Sequence, residues 1–180
     1  DAYSDGDFTP EKFETIDIHT GGEDNKFPHH ECEIAQTEGA TNKPFATYWM
    51  HPRHLMSEGE KMSKSLGNFY YLKDLLDDGF SPRAIRYELL RVHYRISLNF
   101  TKDGLRSAQK TLDRIDDMLK KLNDLRLETP AYNEPLALLV NEMLLVVEKE
   151  LDNDLNISGA LGAVFEAIKE INKALDEQSV

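Results

Sequence analysis

The segment T-I-D-I-H-T-G-G at residues 15–22 gives the clearest indication of the architecture. Its alternating, β-branched residues predict a strand that ends at the glycine pair. Pro28 then opens a predicted helix over residues 29–38, which the following glycine stops. Residues 45–50, F-A-T-Y-W-M, predict a second strand. The order strand, helix, strand predicts a right-handed βαβ unit with a parallel sheet.

Helices dominate the remaining sequence. Apolar residues recur there at three- and four-residue steps, which predicts helices at Tyr71–Asp78, Pro82–Tyr94, Thr101–Leu127, Leu136–Leu151 and Ser158–Leu175. Ser81-Pro82 is expected to cap the start of the second helix, and Thr129-Pro130 is expected to break the third. The last three are expected to pack as an antiparallel bundle. Their predicted core consists of Leu112, Ile115, Leu119, Leu122, Leu138, Leu145, Leu161, Phe165 and Ile168.

The predicted fold class is therefore α/β followed by all-α, with a partial Rossmann-type parallel sheet and a C-terminal antiparallel helical bundle. Three parts are expected. Residues 1–70 form part of a nucleotide-binding domain with the lysine-rich segment described below. Residues 71–100 contribute connecting helices, and residues 101–180 form the bundle.

Composition excludes several classes of protein. The chain has 180 residues and a formal net charge of −12, with 40% hydrophobic and 30% charged residues, which is typical of globular domains. No apolar run approaches the roughly 20 residues that a membrane-spanning helix needs, so no membrane partner is expected. The single cysteine, Cys32, excludes an internal disulfide framework and favours a reducing, cytoplasmic setting.

The charge is unevenly distributed along the chain. Residues 1–42 carry a net charge of −9, residues 43–126 carry +5, and residues 127–180 carry −8. A positive middle between two acidic ends can hold a polyanion. Lysine and arginine on solvated helix faces give the same pattern, so both interpretations stay open at this stage.

The most specific chemical signal is E-G-E-K-M-S-K-S-L-G-N at residues 58–68. Lys61 and Lys64 lie three positions apart, flanked by hydroxyls and glycines, which predicts a cationic loop. Such a loop suits the charge that develops on a transferring phosphoryl or pyrophosphate group. The alternative is a solvated Lys/Ser loop. The predicted position just after a strand of a nucleotide-binding sheet favours the phosphate interpretation.

Two further segments carry weaker signals. In H-T-G-G-E-D, residues 19–24, the paired glycines allow a ligand to approach the backbone and the following carboxylate suits a ribose, although a simple turn has the same pattern. In P-H-H-E-C-E, residues 28–33, His29 and Glu33 are four apart and suit a metal ion, with Cys32 near the same face. A polar helix start that complements the helix dipole is the alternative there.

Together these segments resemble the cysteinyl-tRNA synthetase family. The match runs in order from D-I-H-T-G-G-E-D-N-K-F-P-H-H-E-C-E-I-A-Q through Y-W-M-H to E-K-M-S-K-S-L-G-N, between residues 17 and 68. R-A-I-R-Y at residues 83–87 and L-D-N-D-L-N at residues 151–156 also resemble the family. The resemblance covers roughly residues 16–175.

The resemblance implies a class I synthetase that activates cysteine with ATP, supplied with Mg, and transfers it to the 3′ end of tRNA(Cys). It implies that Lys61 and Lys64 stabilise the reacting phosphate and the departing pyrophosphate, with Lys64 assigned to ATP. It also implies that Gly21, Gly22 and Asp24 line the adenosine pocket.

By the same resemblance, His29 and Glu33 are two ligands of a zinc ion that binds the substrate thiolate. Cysteine and serine differ by one atom, which an apolar pocket separates poorly, whereas zinc selects the soft thiolate. Cys32 is a further ligand candidate with less support. The helices from Ser81 to Arg126 correspond to the fold that contacts the tRNA stem, which gives the basic middle a role.

The sequence also departs from the family. It contains no H-I-G-H-type ATP motif and neither of the two zinc cysteines that the family places upstream. The expectation is therefore that this chain is inactive alone and that the N-terminal half of the catalytic domain is a required partner. One alternative is a non-catalytic fragment that binds tRNA or protein. Another is the related ligase that joins cysteine to an amino sugar in thiol biosynthesis.

Overall fold

The computed structural model describes residues 3–4, 7–124 and 134–178. The chain divides into two compact units, one formed by Asp1–Leu55 with Tyr94–Ser97 and the other by Met56–His93 with Leu98–Val180. The domain limits expected at residues 70 and 100 stay predictions. Within the described ranges, no helix has the length and apolar character needed to cross a bilayer.

The first unit contains the predicted βαβ element. Two short strands, β1 (Tyr3–Ser4) and β2 (Asp7–Phe8), pair antiparallel near the start of the chain. The following elements are strand β3 (Ile16–Thr20), helix α1 (Glu31–Thr41) and strand β4 (Ala46–Met50). Strands β3 and β4 pair in parallel, with Ile16 opposite Ala46 and Thr20 opposite Met50. The strand, helix, strand prediction is confirmed, and both strands end at the same edge.

The end predicted for the first helix is wrong. Helix α1 runs through Gly39 to Thr41, and Asn42 ends it in the left-handed conformation with φ of 53°. The Asn42 N–H donates to the Glu38 carbonyl at 2.8 Å. Asparagine tolerates this conformation better than most residues, while one glycine inside a helix costs only about 1 kcal/mol relative to alanine.

The second unit begins with a small mixed sheet. Strands β5 (Met56–Ser57), β6 (Glu60–Lys61) and β7 (Asn99–Phe100) lie in the order β6, β5, β7, with β5 antiparallel to β6 and parallel to β7. Helices α2 (Leu72–Asp77) and α3 (Pro82–Leu90) lie between β6 and β7 in sequence. A core of Leu75, Ile85, Leu98, Phe100 and Leu105 joins these elements.

Helix α3 is shorter than predicted, since it ends at Leu90 and not at Tyr94. It starts as expected, with the Ser81 side chain accepting a hydrogen bond from the Ala84 N–H at 3.1 Å. At this end the chain meets a distant residue, because the Arg91 carbonyl accepts a hydrogen bond from the Ser158 hydroxyl at 3.2 Å. That carbonyl is thereby satisfied outside the helix.

Three long helices complete the second unit: α4 (Lys102–Asp124), α5 (Glu134–Asp152) and α6 (Ile157–Gln178). Helix α6 packs against both α5 and α4, and α4 packs against α3. The short turn between α5 and α6 makes them an antiparallel pair. The expected end of the first long helix at Leu127 and the break at Thr129-Pro130 lie outside the described residues.

The predicted core of these helices is partly wrong. Among the nine predicted residues, four are exposed: Leu119, Leu122, Leu138 and Leu145. The buried apolar residues of α4 and α6 are Leu105, Ala108, Met118, Ala160, Ala167 and Leu175. Several are alanines, because small side chains let helices approach closely, and periodicity alone does not show which face a neighbour covers.

Candidate functional site

The carboxyl ends of the two parallel strands carry a cluster of histidines around Glu33. His19 is the second-last residue of β3, and Glu33 lies in the first turn of α1. His19 Nε2 lies 3.0 Å from Glu33 Oε2, and His29 Nε2 lies 3.4 Å from Glu33 Oε1. The two carboxylate oxygens therefore face different histidines.

The distance between His29 and Glu33 suits a metal ion. Two ligands at about 2.1 Å from a tetrahedral zinc ion lie about 3.4 Å apart, which matches the observed 3.4 Å between Nε2 and Oε1. The His29 side chain is 65% exposed, which leaves room for further ligands. The hydrogen bond from His19 to the other oxygen orients Glu33, as outer-shell partners do at metal centres. The pair fits half of a zinc site.

A second grouping of potential ligands is chemically weaker. One donor atom from each of His19, His30 and Glu33 lies within 4.8 Å of the others. His30, however, is buried, and its Nδ1 forms a hydrogen bond with His51 Nε2 at 2.8 Å. Its ring also contacts Trp49, with 5.1 Å between ring centroids. His30 therefore packs against His51 and Trp49 and is a weaker ligand candidate than His29.

Cys32 is an exposed free thiol. In the part of the chain that the structure describes, it belongs to no group of three ligating side chains, whereas Glu33 does. Its ligand role stays a prediction.

The pKa of His51, which follows β4, is changed by its surroundings. Partial burial lowers the pKa of His51 below its usual 6.5, and the neighbouring His30 lowers it further. At neutral pH His51 is therefore uncharged. One of the two rings then donates the hydrogen bond that joins His30 to His51, and the other accepts it.

The predicted nucleotide residues follow β3 directly. The Gly21 N–H donates to the Met50 carbonyl at 3.1 Å. A Cβ at this position would lie 2.6 Å from His30 Cε1, so His30 packs against Gly21 in a way that any side chain would prevent. At Gly22 a Cβ would lie 2.6 Å from Asp24 Oδ1. The Asp24 carboxylate thus lies beside the glycine pair, with its side chain exposed to solvent.

The lysine-rich segment is a well-defined turn in the second unit. Lys61 ends strand β6, and Lys64 begins a short 3-10 turn that Gly67 ends with φ of 68°. The Asn68 side chain closes the turn, since it accepts from the Ser63 N–H at 2.8 Å and donates to the Lys61 carbonyl at 3.2 Å. Both lysine side chains are exposed.

Several basic residues of the middle region form ion pairs. Arg83 on α3 forms two hydrogen bonds to Asp116 on α4, at 2.8 and 3.1 Å. This contact raises the pKa of Arg83 and lowers the pKa of Asp116. Lys102 pairs with Asp78 at 2.7 Å. Such pairing favours the helix-face interpretation for these residues.

Three residues of the site were not predicted as functional: His19, His30 and His51. His19 lies at the carboxyl end of β3 and His51 directly follows β4. In parallel sheets ligands collect at that edge. The position of His19 and His51 relative to the two predicted strands was the signal that could have identified these two residues.

Comparison with known proteins places this arrangement in a family. The family model for the class I (C) tRNA synthetase catalytic domain matches residues 9–110. The chain belongs to this class I synthetase family. A DALR domain model matches residues 146–180. The synthetase match includes the histidine cluster and the lysine-rich segment, and the DALR match includes α6.

Curated relatives of this synthetase chain are cysteine–tRNA ligases. It is 52% identical over 168 residues to the ligase of Brachyspira hyodysenteriae, covering 92% of this chain and 35% of the relative. It is 46% identical to the ligase of Chlamydia muridarum, with 93% and 35% covered. It is 47% identical to the ligase of Protochlamydia amoebophila, covering 93% of this chain and 34% of the relative. The chain spans about a third of the length of these relatives.

Solved structures agree on the synthetase fold. The Agrobacterium radiobacter K84 agnB2 LeuRS, in a ternary complex with tRNA and LeuAMS, superposes with a TM-score of 0.72 at 17% identity, covering 90% of this chain and 23% of that one. Mycobacterium tuberculosis methionyl-tRNA synthetase with methionyl-adenylate superposes with a TM-score of 0.70 at 20% identity, covering 91% and 34%. The predicted fold class is confirmed.

Proposed function

We propose that this segment belongs to a cysteine–tRNA ligase and contributes the cysteine-selecting half of its zinc site and its lysine-rich ATP loop. The observation that carries the proposal is the geometry at Glu33. One carboxylate oxygen lies at a tetrahedral ligand distance from His29 Nε2, and the other is held by His19. The names of the relatives, all cysteine–tRNA ligases, support cysteine as the amino acid.

His29 and Glu33 hold the zinc ion in this proposal, together with ligands from the rest of the protein. When bound, zinc stabilises the ionised thiolate of the substrate and so favours cysteine over serine. His19 keeps the Glu33 carboxylate in one orientation, which reduces the entropy lost when the ion binds. Thiolate chemistry also requires reducing conditions, so the proposal includes a cytoplasmic location.

Lys61 and Lys64 act on the nucleotide in this proposal. Both are exposed at the ends of a turn that Asn68 closes. Their charges can stabilise the negative charge that develops on the α-phosphate and the departing pyrophosphate. Gly21, Gly22 and Asp24 supply the backbone approach and the carboxylate for the adenosine, with Mg accompanying ATP.

The tRNA interaction is assigned to the second unit. Helices α3 and α4 carry eight of the 16 lysine and arginine side chains of the middle region, and among the described residues four of these form no ion pair: Arg86, Lys110, Arg114 and Lys120. The DALR match extends the resemblance to α6. Partners of the proposed activity are tRNA(Cys), cysteine, ATP and the part of the ligase that supplies the H-I-G-H-type motif.

Cysteine-dependent exchange between ATP and pyrophosphate in the full-length ligase tests the lysine role. Removing a preorganised charge that stabilises a transition state typically lowers kcat about 100- to 1,000-fold, and Lys64→Ala is expected to do so. Lys73→Ala, an exposed lysine on α2, is the matched control and should leave the rate unchanged. Retained exchange in Lys64→Ala would contradict the assignment.

Metal content and acceptor use test the remaining parts. Glu33→Gln and His29→Ala should lose zinc to a chelator, and His19→Gln should weaken zinc affinity about 10- to 100-fold. His54→Gln, which changes a histidine outside the ligand cluster, serves as the control. Transfer of labelled cysteine to tRNA supports the ligase, whereas transfer to an amino sugar would identify the alternative enzyme.

A further inference from the structure

The ammonium group of Lys64 lies beside two aromatic rings. Lys64 Nζ is 5.7 Å from the centroid of the Phe69 ring and 5.9 Å from that of Tyr71. The two rings form an edge-on pair with centroids 5.0 Å apart. Both distances from Lys64 Nζ to a ring centroid lie within the roughly 6 Å over which a cation is attracted to an aromatic face.

Among the described residues, no carboxylate competes for this lysine. Across that part of the chain Lys64 makes no ion pair within 4.0 Å, in contrast to Lys102, whose Nζ lies 2.7 Å from Asp78 Oδ2. The rings attract the charge without neutralising it, since their quadrupole carries no net charge. Lys64 is therefore held in place without an ion pair to a described carboxylate.

The turn explains why the rings are available. Gly67 reverses the chain, and the hydrogen bonds of Asn68 fix that reversal, which brings residues 69–71 back toward Lys64. Tyr70 points to the core and contacts Phe100, with 5.8 Å between ring centroids. Its neighbours Phe69 and Tyr71 remain exposed. These two rings thus contribute little to the core.

We propose that Phe69 and Tyr71 form a resting seat for Lys64, an inference that rests on the proposed role of this lysine in ATP activation. The seat holds the ammonium near its turn when no nucleotide is bound. Because attraction to exposed rings is weak, the multiple negative charges of a triphosphate displace the lysine from the seat. Phe69 and Tyr71 are positioning residues, since they act through Lys64.

Acylation of amines in the full-length protein without nucleotide tests the seat. An amine held against rings reacts more slowly than one free in solvent, so the labelling rate of Lys64, read by mass spectrometry, reports occupancy of the seat. Loss of one cation–ring contact is expected to raise this rate about two- to fivefold in Phe69→Leu or Tyr71→Leu. Lys73 provides the internal reference.

Matched variants separate the ring from other effects. Tyr71→Phe keeps the ring and should leave labelling of Lys64 unchanged, and Leu66→Ala removes an exposed apolar side chain of the same turn with no change expected. Unchanged labelling in both leucine variants, or an equal rise in Tyr71→Phe, would overturn the seat.

A misfolded leucine variant would raise labelling at Lys73 as well, and Tyr71→Trp then decides. Tryptophan attracts cations most strongly, so labelling of Lys64 must slow in this variant, and a failure to slow it overturns the proposal. Because no nucleotide is present, such a failure leaves the role of Lys64 in activation to the exchange assay, and the two proposals fail separately.

Discussion

Substituting Gly21 by alanine should force a clash with the ring of His30 in the histidine cluster. The new Cβ would lie 2.6 Å from His30 Cε1 and 2.7 Å from His30 Nε2, closer than real Cβ contacts. His30 has little room to yield, because only 4% of it is exposed and its Nδ1 is bonded to His51 at 2.8 Å. Either the backbone after β3 or the ring of His30 must move.

The expected cost combines two effects. Forcing extra volume into a packed region costs about 1–3 kcal/mol. Loss of the hydrogen bond between His30 and His51 adds about 1 kcal/mol when the ring moves. We therefore expect Gly21→Ala to lower the free energy of unfolding by about 2–4 kcal/mol.

Urea unfolding of the 180-residue chain measures this cost. Trp49 is its only tryptophan and lies against His30, so its fluorescence reports the affected region. Gly39→Ala is the matched control, because a Cβ there meets no atom within 4 Å. Inside helix α1 that change should stabilise the chain by about 0.5–1 kcal/mol.

A double-mutant cycle identifies the cause. If His30 is the obstacle, His30→Ala vacates the space that the added methyl group needs, and Gly21→Ala then costs much less. The coupling energy between the two changes should be at least about 1 kcal/mol. Additive costs, or a Gly21→Ala variant as stable as the parent, would show that His30 does not obstruct a side chain at position 21.

Two further predictions concern buried and titrating groups. Glu88 is fully buried, and its carboxylate accepts hydrogen bonds from Arg91 at 2.6 and 2.9 Å. Glu88→Leu should therefore lower the free energy of unfolding in urea by about 2 kcal/mol, which is less than the loss of a fully buried ion pair costs, because Arg91 reaches solvent. Glu88→Gln keeps the shape of the side chain and should lower it less. The pKa of His51 is lowered in the fold, so the unfolded chain takes up the proton first and stability should fall as pH drops below about 6.5. A pKa of His51 at or above 6.5 in an NMR titration would contradict this prediction.

Local patterns in the sequence were sufficient for the β3–α1–β4 element and for the start of α3. Alternation, a glycine pair and a serine-proline cap depend on neighbours within a few residues, so the strands and the cap were predicted within one residue. The end of α3 was not predictable in this way, because Ser158, far along the chain, satisfies the Arg91 carbonyl.

The same distinction applies to the candidate site. The spacing of His29 and Glu33 indicated a shared ligand face, and the two lysines indicated a cationic turn. Sequence patterns did not show that His19 holds the second oxygen of Glu33, that His30 lies under Gly21, or that Phe69 and Tyr71 border Lys64.

Local sequence patterns were therefore sufficient for the order of the helices and strands, and the chemistry expected of each motif stays a prediction. Only the tertiary structure decided which faces are buried, as the exposure of Leu119 and Leu145 shows, and which donor meets which acceptor. The physical reason is the distance along the chain over which each interaction acts. Propensities, caps and spacing act over a few residues, whereas packing joins residues from distant parts of the chain, whose approach depends on side-chain volumes and hydrogen bonds that no local pattern contains.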